Sequence, residues 1–385
     1  MALAAFGSGL SLRVNDTLLP KLAQEFSVSI GEASLVISCF AISYGLAQLV
    51  FGPFGDRFGK YRVIAWACLA SACSSLLCGL ASSFMALCLS RALAGFTAAA
   101  VIPLAMAWIG DVIPYERRQP VLAKFLIGQI VGLASGVWLG GFSADHLSWR
   151  APYWLLAAYF VGVGLALFWL IPRLPARARR IQAAHSGMVR QALSEFAQVL
   201  ALPWARVVLL TVALEGMCLY GPFAFIATHL HLSHGLSLAS SGALVMLFGL
   251  GGFIFASASS LFAQRLGEQG LARWGGALMF AALLLVGLGP VWWLALPGCL
   301  MAGLGFYMLH NTLQVNATQM APERRGAAVS AFASCFFLGQ SVGVGLAGAA
   351  VAHTGTAALL VVGGVGVLAV ALNFAGLLKR KLAQR

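Results

Sequence analysis

Gly52-Pro53-Phe54-Gly55-Asp56-Arg57-Phe58-Gly59-Lys60-Tyr61-Arg62 is a glycine-punctuated charged turn set between two apolar segments, each long enough to form a membrane-crossing helix. Gly59 suits a tight turn and Gly52 a close approach of helices. The charges mark the stretch as a short aqueous loop. The rest of the chain agrees: of 385 residues, 61% are hydrophobic and only 9% charged, and the mean hydropathy is +0.90. No water-soluble core of this size needs so much apolar side chain. A spanning helix takes about 20 residues, so twelve spans use about 240 residues and leave short loops plus one longer connection. The 44 glycines suit close helix packing in lipid.

Apolar segments fall near residues 2–19, 33–53, 63–82, 84–110, 120–142 and 151–171, then 206–228, 237–260, 272–290, 292–317, 327–350 and 355–378. An internal repeat supports this division into six and six. The charged turn recurs, weakened, as Ser260-Leu261-Phe262-Ala263-Gln264-Arg265-Leu266-Gly267-Glu268, and Pro114-Tyr115-Glu116-Arg117-Arg118 is answered by Pro322-Glu323-Arg324-Arg325, both at an offset of 208. Gly128-Gln129-Ile130-Val131-Gly132 matches Gly339-Gln340-Ser341-Val342-Gly343 at 211. Two parallel six-helix halves, residues 1–171 and 206–385, are expected around a central cavity near the bilayer midplane. Residues 172–205 form a linker rich in arginine (Arg173, Arg177, Arg179, Arg180, Arg190). Its later part spaces Val189, Ala192, Leu193, Phe196 and Leu200 as one helical face, suited to an anionic leaflet or simply to a solvated linker.

The net charge of +13 invites a nucleic-acid reading, but its placement argues for topology. With an inside start, the outer loops hold only Lys21 and Arg150, and Arg13 and Arg91 fall within spans. The rest of the 24 Lys and Arg residues lie on the cytoplasmic side, which the positive-inside rule expects. Both termini are then cytoplasmic and no nucleic-acid partner is expected. Met1 to Leu12 lack the basic start of a signal peptide and belong to the first span, and the near absence of a leader leaves open a start upstream. The eight cysteines lie in or beside spans without paired-ligand spacing and read as packing residues. His229-x-His231-x-x-His234 has no Cys or carboxylate beside it, so no metal site is expected. Trp149, Trp154, Trp292 and Trp293 read as interface anchors.

Charges inside a bilayer cost several kcal/mol and are functional candidates by default. Arg13 and Asp16 in the first span are three apart and share a face with a depth close to that of Arg91 in the fourth. Glu215 in the seventh has no basic residue nearer along the chain than Arg206, which suits an acid that takes up and releases a proton. Glu215, Asp16, Arg91 and Arg13 are the proton-coupling candidates. Tyr44 and Gln48 lie four apart on the second span, and His310, Asn311 and Gln314 cluster on the tenth, as candidate cavity residues or helix-to-helix hydrogen bonds. Gly128, Gly132, Gly136, Gly140 and Gly141 put a bare stripe on the fifth span. No P-loop, H-E-x-x-H or G-x-S-x-G in context is present, which argues against an enzyme.

The opening turn resembles the G-x-x-x-D-R-x-G-[RK]-x-[RK] signature between the second and third helices of the major facilitator superfamily, a family of all-α, twelve-helix secondary transporters. Leu89-Ser90-Arg91-Ala92-Leu93-Ala94-Gly95 is similar to its fourth-helix R-x-x-x-G motif, whose arginine is implicated in proton transfer. The fifth-span glycines resemble the motif of the drug antiporter branch, with Val137 in place of a proline. This resemblance implies a monomeric, multi-pass transporter of the bacterial inner membrane that needs no cofactor beyond protons as the coupling ion. It would export a small amphipathic or cationic drug or metabolite by alternating access; Val137 keeps open the alternative of a proton symporter that imports a metabolite. It further implies a cytoplasmic latch of Gly52, Asp56, Arg57, Gly59, Lys60, Asp111 and Arg117, in which Asp56 caps the eleventh helix near Gly326 and Arg57 pairs with Asp111.

Overall fold

In a bilayer, an apolar run can satisfy its backbone groups internally only as a helix or a closed barrel. The computed structural model describes residues 1–175 and 188–383, and among these every regular element is helical. In chain order they are α1 (Ala2–Arg13), α2 (Leu19–Phe26), α3 (Ile30–Ala33), α4 (Leu35–Phe58), α5 (Lys60–Gly79), α6 (Phe84–Ala98), α7 (Val101–Val112), α8 (Tyr115–His146) and α9 (Ala151–Leu170). The second run holds α10 (Met188–Ala201), α11 (Pro203–Glu215), α12 (Gly221–Phe223), α13 (Ile226–His234), α14 (Leu238–Leu288), α15 (Ala295–Gln319) and α16 (Arg325–Ala383). Nine stretches among the described residues are long and apolar enough to cross a membrane. The chain is therefore a multi-pass membrane protein.

Two stretches are far too long for one crossing, and each leaves helical geometry once at a glycine. α14 does so at Gly267 (φ 61°) after a bend at Ala258, and α16 at Gly355 (φ 74°). Only glycine adopts such positive φ without strain. Gly59, between α4 and α5, has φ 87°, so the two repeats of the charged turn share the same backbone device.

The sequence pattern predicts unbroken first, fourth and seventh spans. The structure departs from regular helix in all three, least in the fourth, where Ala99 and Ala100 keep right-handed helical angles. Residues 14–18 form a turn between α1 and α2, residues 99–100 part α6 from α7, and a π-helical turn (Gly216–Tyr220) follows Glu215 before a second break at residues 224–225. Non-helical backbone at membrane depth survives only inside protein or beside a cavity, and Asn15, Asp16, Thr17, Ala224 and Phe225 are all buried.

The glycine stripe explains how α8 meets α1. A Cβ at Gly128, Gly132, Gly136 or Gly140 would press on the carbonyl of Ala2, Phe6, Leu10 or Val14, and one at Gly141 would overlap the Leu238 carbonyl at the start of α14. The repeat carries its own version, since Gly339 and Gly343 of α16 meet the carbonyls of Ala213 and Met217. Each of these four residues stands 211 after its counterpart in the first set. The buried side chains gather into two large cores, one drawn mainly from residues 4–167 and one mainly from residues 199–378.

Where the elements of the two cores meet, one end of the bundle is tight. Ser38 and Ser341 exchange hydroxyl-to-carbonyl hydrogen bonds of 3.2 and 3.0 Å, and the Ser334 hydroxyl donates to the Gly45 carbonyl at 2.7 Å. Asp145 accepts the Ala239 N–H at 2.7 Å, capping the first turn of α14 from another helix. At the other end, a Cβ at Gly52 or Gly326 would find no atom of another described residue within 4 Å, although α10 packs against both α4 and α16. The close approach expected of Gly52 is made instead by Gly55, which faces Leu104.

Three smaller expectations are also revised. Trp149 is no interface anchor: it is buried edge-on to Phe26 beneath Arg150, while Trp154, Trp292 and Trp293 are exposed. The linker does form α10, whose Val199 and Phe196 join the second core, but Leu200 points outward. Val189, Ala192, Leu193 and Arg190 lie among side chains outside the described set, as do Arg177, Arg179 and Arg180 with their backbone.

Candidate functional site

The break after α1 concentrates polar groups in an apolar core. Arg13, the last residue of α1, donates to the Asp16 carboxylate at 3.0 Å, with both side chains buried. Its guanidinium lies 4.0 Å from the centroid of the Tyr220 ring and 5.0 Å from that of Phe223, a cation–π platform. The second Asp16 oxygen is buried without a hydrogen-bond partner among the described residues. Arg91, 1% exposed, bonds to carbonyls rather than to the acid: it donates to Ser11 at 3.1 Å and Val36 at 3.4 Å and sits over Phe40. Asn15, its amide turned so that oxygen faces Arg91, accepts from it at 3.1 and 3.2 Å while its nitrogen meets the Tyr153 hydroxyl. The ion pair of the first span is thus Arg13 with Asp16, and Arg91 braces the broken turn from α6.

Glu215 ends α11 where the π turn begins, and it is fully buried. One of its oxygens lies 2.8 Å from Nδ1 of His310 on α15, and the other has no hydrogen-bond partner among the described residues. Sequence distance concealed this contact, because 95 residues separate the two. His310 stacks on Phe306 with centroids 4.7 Å apart and touches Phe332 and Phe336. Tyr220 joins the two clusters. Its ring lies under Arg13 on one side and packs edge-on to Phe306 and Phe336, 5.4 Å from each, on the other. Gly221-Pro222, directly after it, was the readable signal of a break in this span.

A pocket opens beside Arg13, with Tyr220, Phe223, Phe248 and Tyr307 in its wall and Val137 and Ile130 of α8 opposite. None of the expected cavity residues lines it. Tyr44 is buried between Phe40 and Phe337, Gln48 is buried, His310 is committed to Glu215, Asn311 is half-buried and Gln314 is exposed. Of α15, it is Tyr307, one turn before His310, that reaches the pocket.

The charged turn has its own arrangement. Lys60, not Arg57, holds Asp111, at 2.7 Å, and it also holds Asp56 at 2.6 Å. Arg57 lies over Phe58, and Arg118, rather than the exposed Arg117, ties down the end of α7 through the Gly110 and Ile113 carbonyls. Asp56 therefore faces Lys60, one turn along, rather than the start of α16 near Gly326, where a Cβ would meet no other described residue within 4 Å. In the repeat, Glu268 accepts from Asn316 at 3.0 Å, again tying the turn to the end of a neighbouring helix. Of the histidines near Gly235, His229 meets Thr356 at 2.8 Å and His231 meets the Leu236 carbonyl at 2.6 Å.

Comparisons with known proteins agree with this architecture. Residues 1–344 match the family model of the Major Facilitator Superfamily. The chain is 28% identical over 335 residues to the MFS-type transporter YceJ of Bacillus subtilis, covering 86% of this chain and 83% of that one. It is 28% identical over 167 residues to the multidrug export protein EmrB of Haemophilus influenzae, covering 43% of this chain and 32% of that one. Among solved structures, a bacterial homologue of the lysosomal transporter Spinster, in an inward-facing and unoccupied conformation, superposes with a TM-score of 0.76 at 19% identity, covering 100% of this chain and 96% of that one. By that family match, and with every regular element among its described residues helical, the chain belongs to the Major Facilitator Superfamily and is a transporter, not an enzyme.

Proposed function

We propose that this protein is a proton-coupled exporter of a small amphipathic solute, working by alternating access between two six-helix halves, residues 1–171 and 206–385. Twelve crossings follow if the long α14 and α16 each count as two, parted at Gly267 and Gly355, and α1 with α2 forms the first. Both termini then lie in the cytoplasm of a bacterium, with the protein a monomer in its inner membrane and residues 172–205 as a cytoplasmic linker. In that orientation the tight end, at Ser38 and Ser341, is outer and the clear end, at Gly52 and Gly326, is cytoplasmic, so the conformation is open to the inside.

One observation carries the coupling: Arg13–Asp16 and Glu215–His310, contributed by different halves, meet around the Tyr220 ring where both helices break. Broken helices near the midplane are where secondary transporters bind substrate and coupling ions. Glu215 is the proton carrier in this reading. A proton on its carboxylate changes the pairing with His310, and the Tyr220 ring passes that change to the Arg13 side. No cofactor is required. The kinship with a multidrug export protein supports the outward direction. Purified protein in liposomes tests the proposal: imposing a pH gradient should drive solute against its own gradient, with proton counterflow. Solute flux indifferent to any pH gradient would remove the coupling, and proton movement in the same direction as solute would reverse the direction to import.

A further inference from the structure

The pocket beside Arg13 has a charge sign. Its polar wall is Arg13, Tyr220 and Tyr307, and among the described residues no carboxylate lines it. A guanidinium offers five N–H donors and no acceptor, and a phenol can donate. Asp16 takes one of those donors and is itself outside the wall, its free oxygen buried. Glu215 is engaged with His310 and is likewise absent from the wall. Arg91 lies close enough to act on Asp16 through space, and its hydrogen bonds go to neutral groups. The cluster of Arg13, Asp16 and Arg91 thus holds two guanidiniums for one carboxylate. The remaining wall is apolar or aromatic, with the Phe223 ring tilted against Tyr220 at 5.6 Å and Phe248 edge-on to Phe223 at 4.8 Å. An apolar pocket with a few convergent donors orients a ligand by its polar end.

We propose that this pocket binds amphipathic organic anions, the anionic head on Arg13 and the Tyr307 hydroxyl and the apolar body against Phe223 and Phe248. A cationic head would meet the guanidinium at low dielectric with no acid in the wall to offset it. The inference rests on the transport reading above and sharpens it, and it has an electrical consequence. Exchange of one anion outward for one proton inward moves two charges in the same electrical sense, whereas exchange of a monovalent cation for a proton moves none.

Three probes of one shape decide it: 1-naphthoate, neutral 1-naphthamide and 1-naphthylmethylammonium, titrated calorimetrically into the purified full chain. Naphthoate should bind about tenfold or more tighter than the ammonium, the size of one charge-assisted hydrogen bond, with the amide between. Arg13→Gln should erase that order and Arg13→Lys should keep it in weaker form. Equal or tighter binding of the ammonium, or no binding of naphthoate, overturns the proposal on the wild-type protein alone, whether or not the variants fold. In proteoliposomes clamped with potassium and valinomycin, proton-driven naphthoate export should accelerate with inside-negative potential. Voltage-independent, proton-coupled export of the ammonium would overturn the anion site and leave the exporter reading intact. Selective naphthoate binding without proton-linked flux would support the anion site while removing the exporter reading.

Discussion

Glu215 is an acid that an apolar segment makes conspicuous, because a carboxylate with no sequence neighbour of opposite charge is too costly to keep at membrane depth without a task. Replacing it by Gln retains the hydrogen-bonding shape toward His310 and removes the titration. Glu215→Gln should lower uphill transport at least about tenfold, about 1.4 kcal/mol of lost driving coupling, and flatten its pH dependence, while solute exchange across liposomes without a gradient persists. Uphill transport that keeps its wild-type pH profile would rule Glu215 out as the carrier. At the charged turn, Lys60 is 14% exposed but Asp56 and Asp111 are about half exposed, so each pair contributes no more than about 1 kcal/mol. Lys60→Met should therefore shift the balance of states by roughly fivefold, read as a changed alkylation rate of a reporter cysteine at position 326, and high salt should mimic it. Arg57→Met should shift it less. The contrast shows what the sequence could not say: Asp111 and the basic residues were evident, but which cation reaches it depends on side-chain directions across two helices.

At the scale of elements, four-residue glycine spacing is visible as a stripe, and the stripe's partner is not. Its partner is α1, whose backbone carbonyls occupy the space a Cβ would need. Gly132→Leu should destabilise the protein by at least about 2 to 3 kcal/mol, the order of an overpacked core, seen as a lower Tm in detergent. Gly52→Ala, where a Cβ meets no other described residue within 4 Å, should leave Tm unchanged or slightly raised. Equal losses for both would mean that the α1–α8 contact does not limit stability. The breaks at residues 14–18 and 216–225 were harder to read. Apolar periodicity continues straight through them, and only Asn15-Asp16 and Gly221-Pro222 hint at interruption.

For the molecule as a whole, the contrast between its two ends is the feature with most mechanical meaning. Ser38 on α4 and Ser341 on α16 hold each other's carbonyls. If the proposed halves rock apart there, a Ser38→Cys/Ser341→Cys pair, with the native cysteines replaced, should form a disulfide on oxidation and cut transport to background, restored by reductant. Full activity of the cross-linked form would mean that this end never opens in the cycle. Composition, charge placement and the Gly52–Arg62 turn were enough to determine a multi-pass helical transporter of this superfamily, since a bilayer admits few solutions for so apolar a chain. The sequence also exposed its buried charges, because transfer cost depends on a residue's own chemistry and its immediate neighbours. Tertiary structure alone decided that His310 meets Glu215, that Lys60 rather than Arg57 holds Asp111, and that Arg13 with Tyr307 rather than Tyr44 or Gln314 faces the pocket. Those outcomes depend on how helices rotate and cross, and packing sets rotation through contacts between residues far apart in the chain.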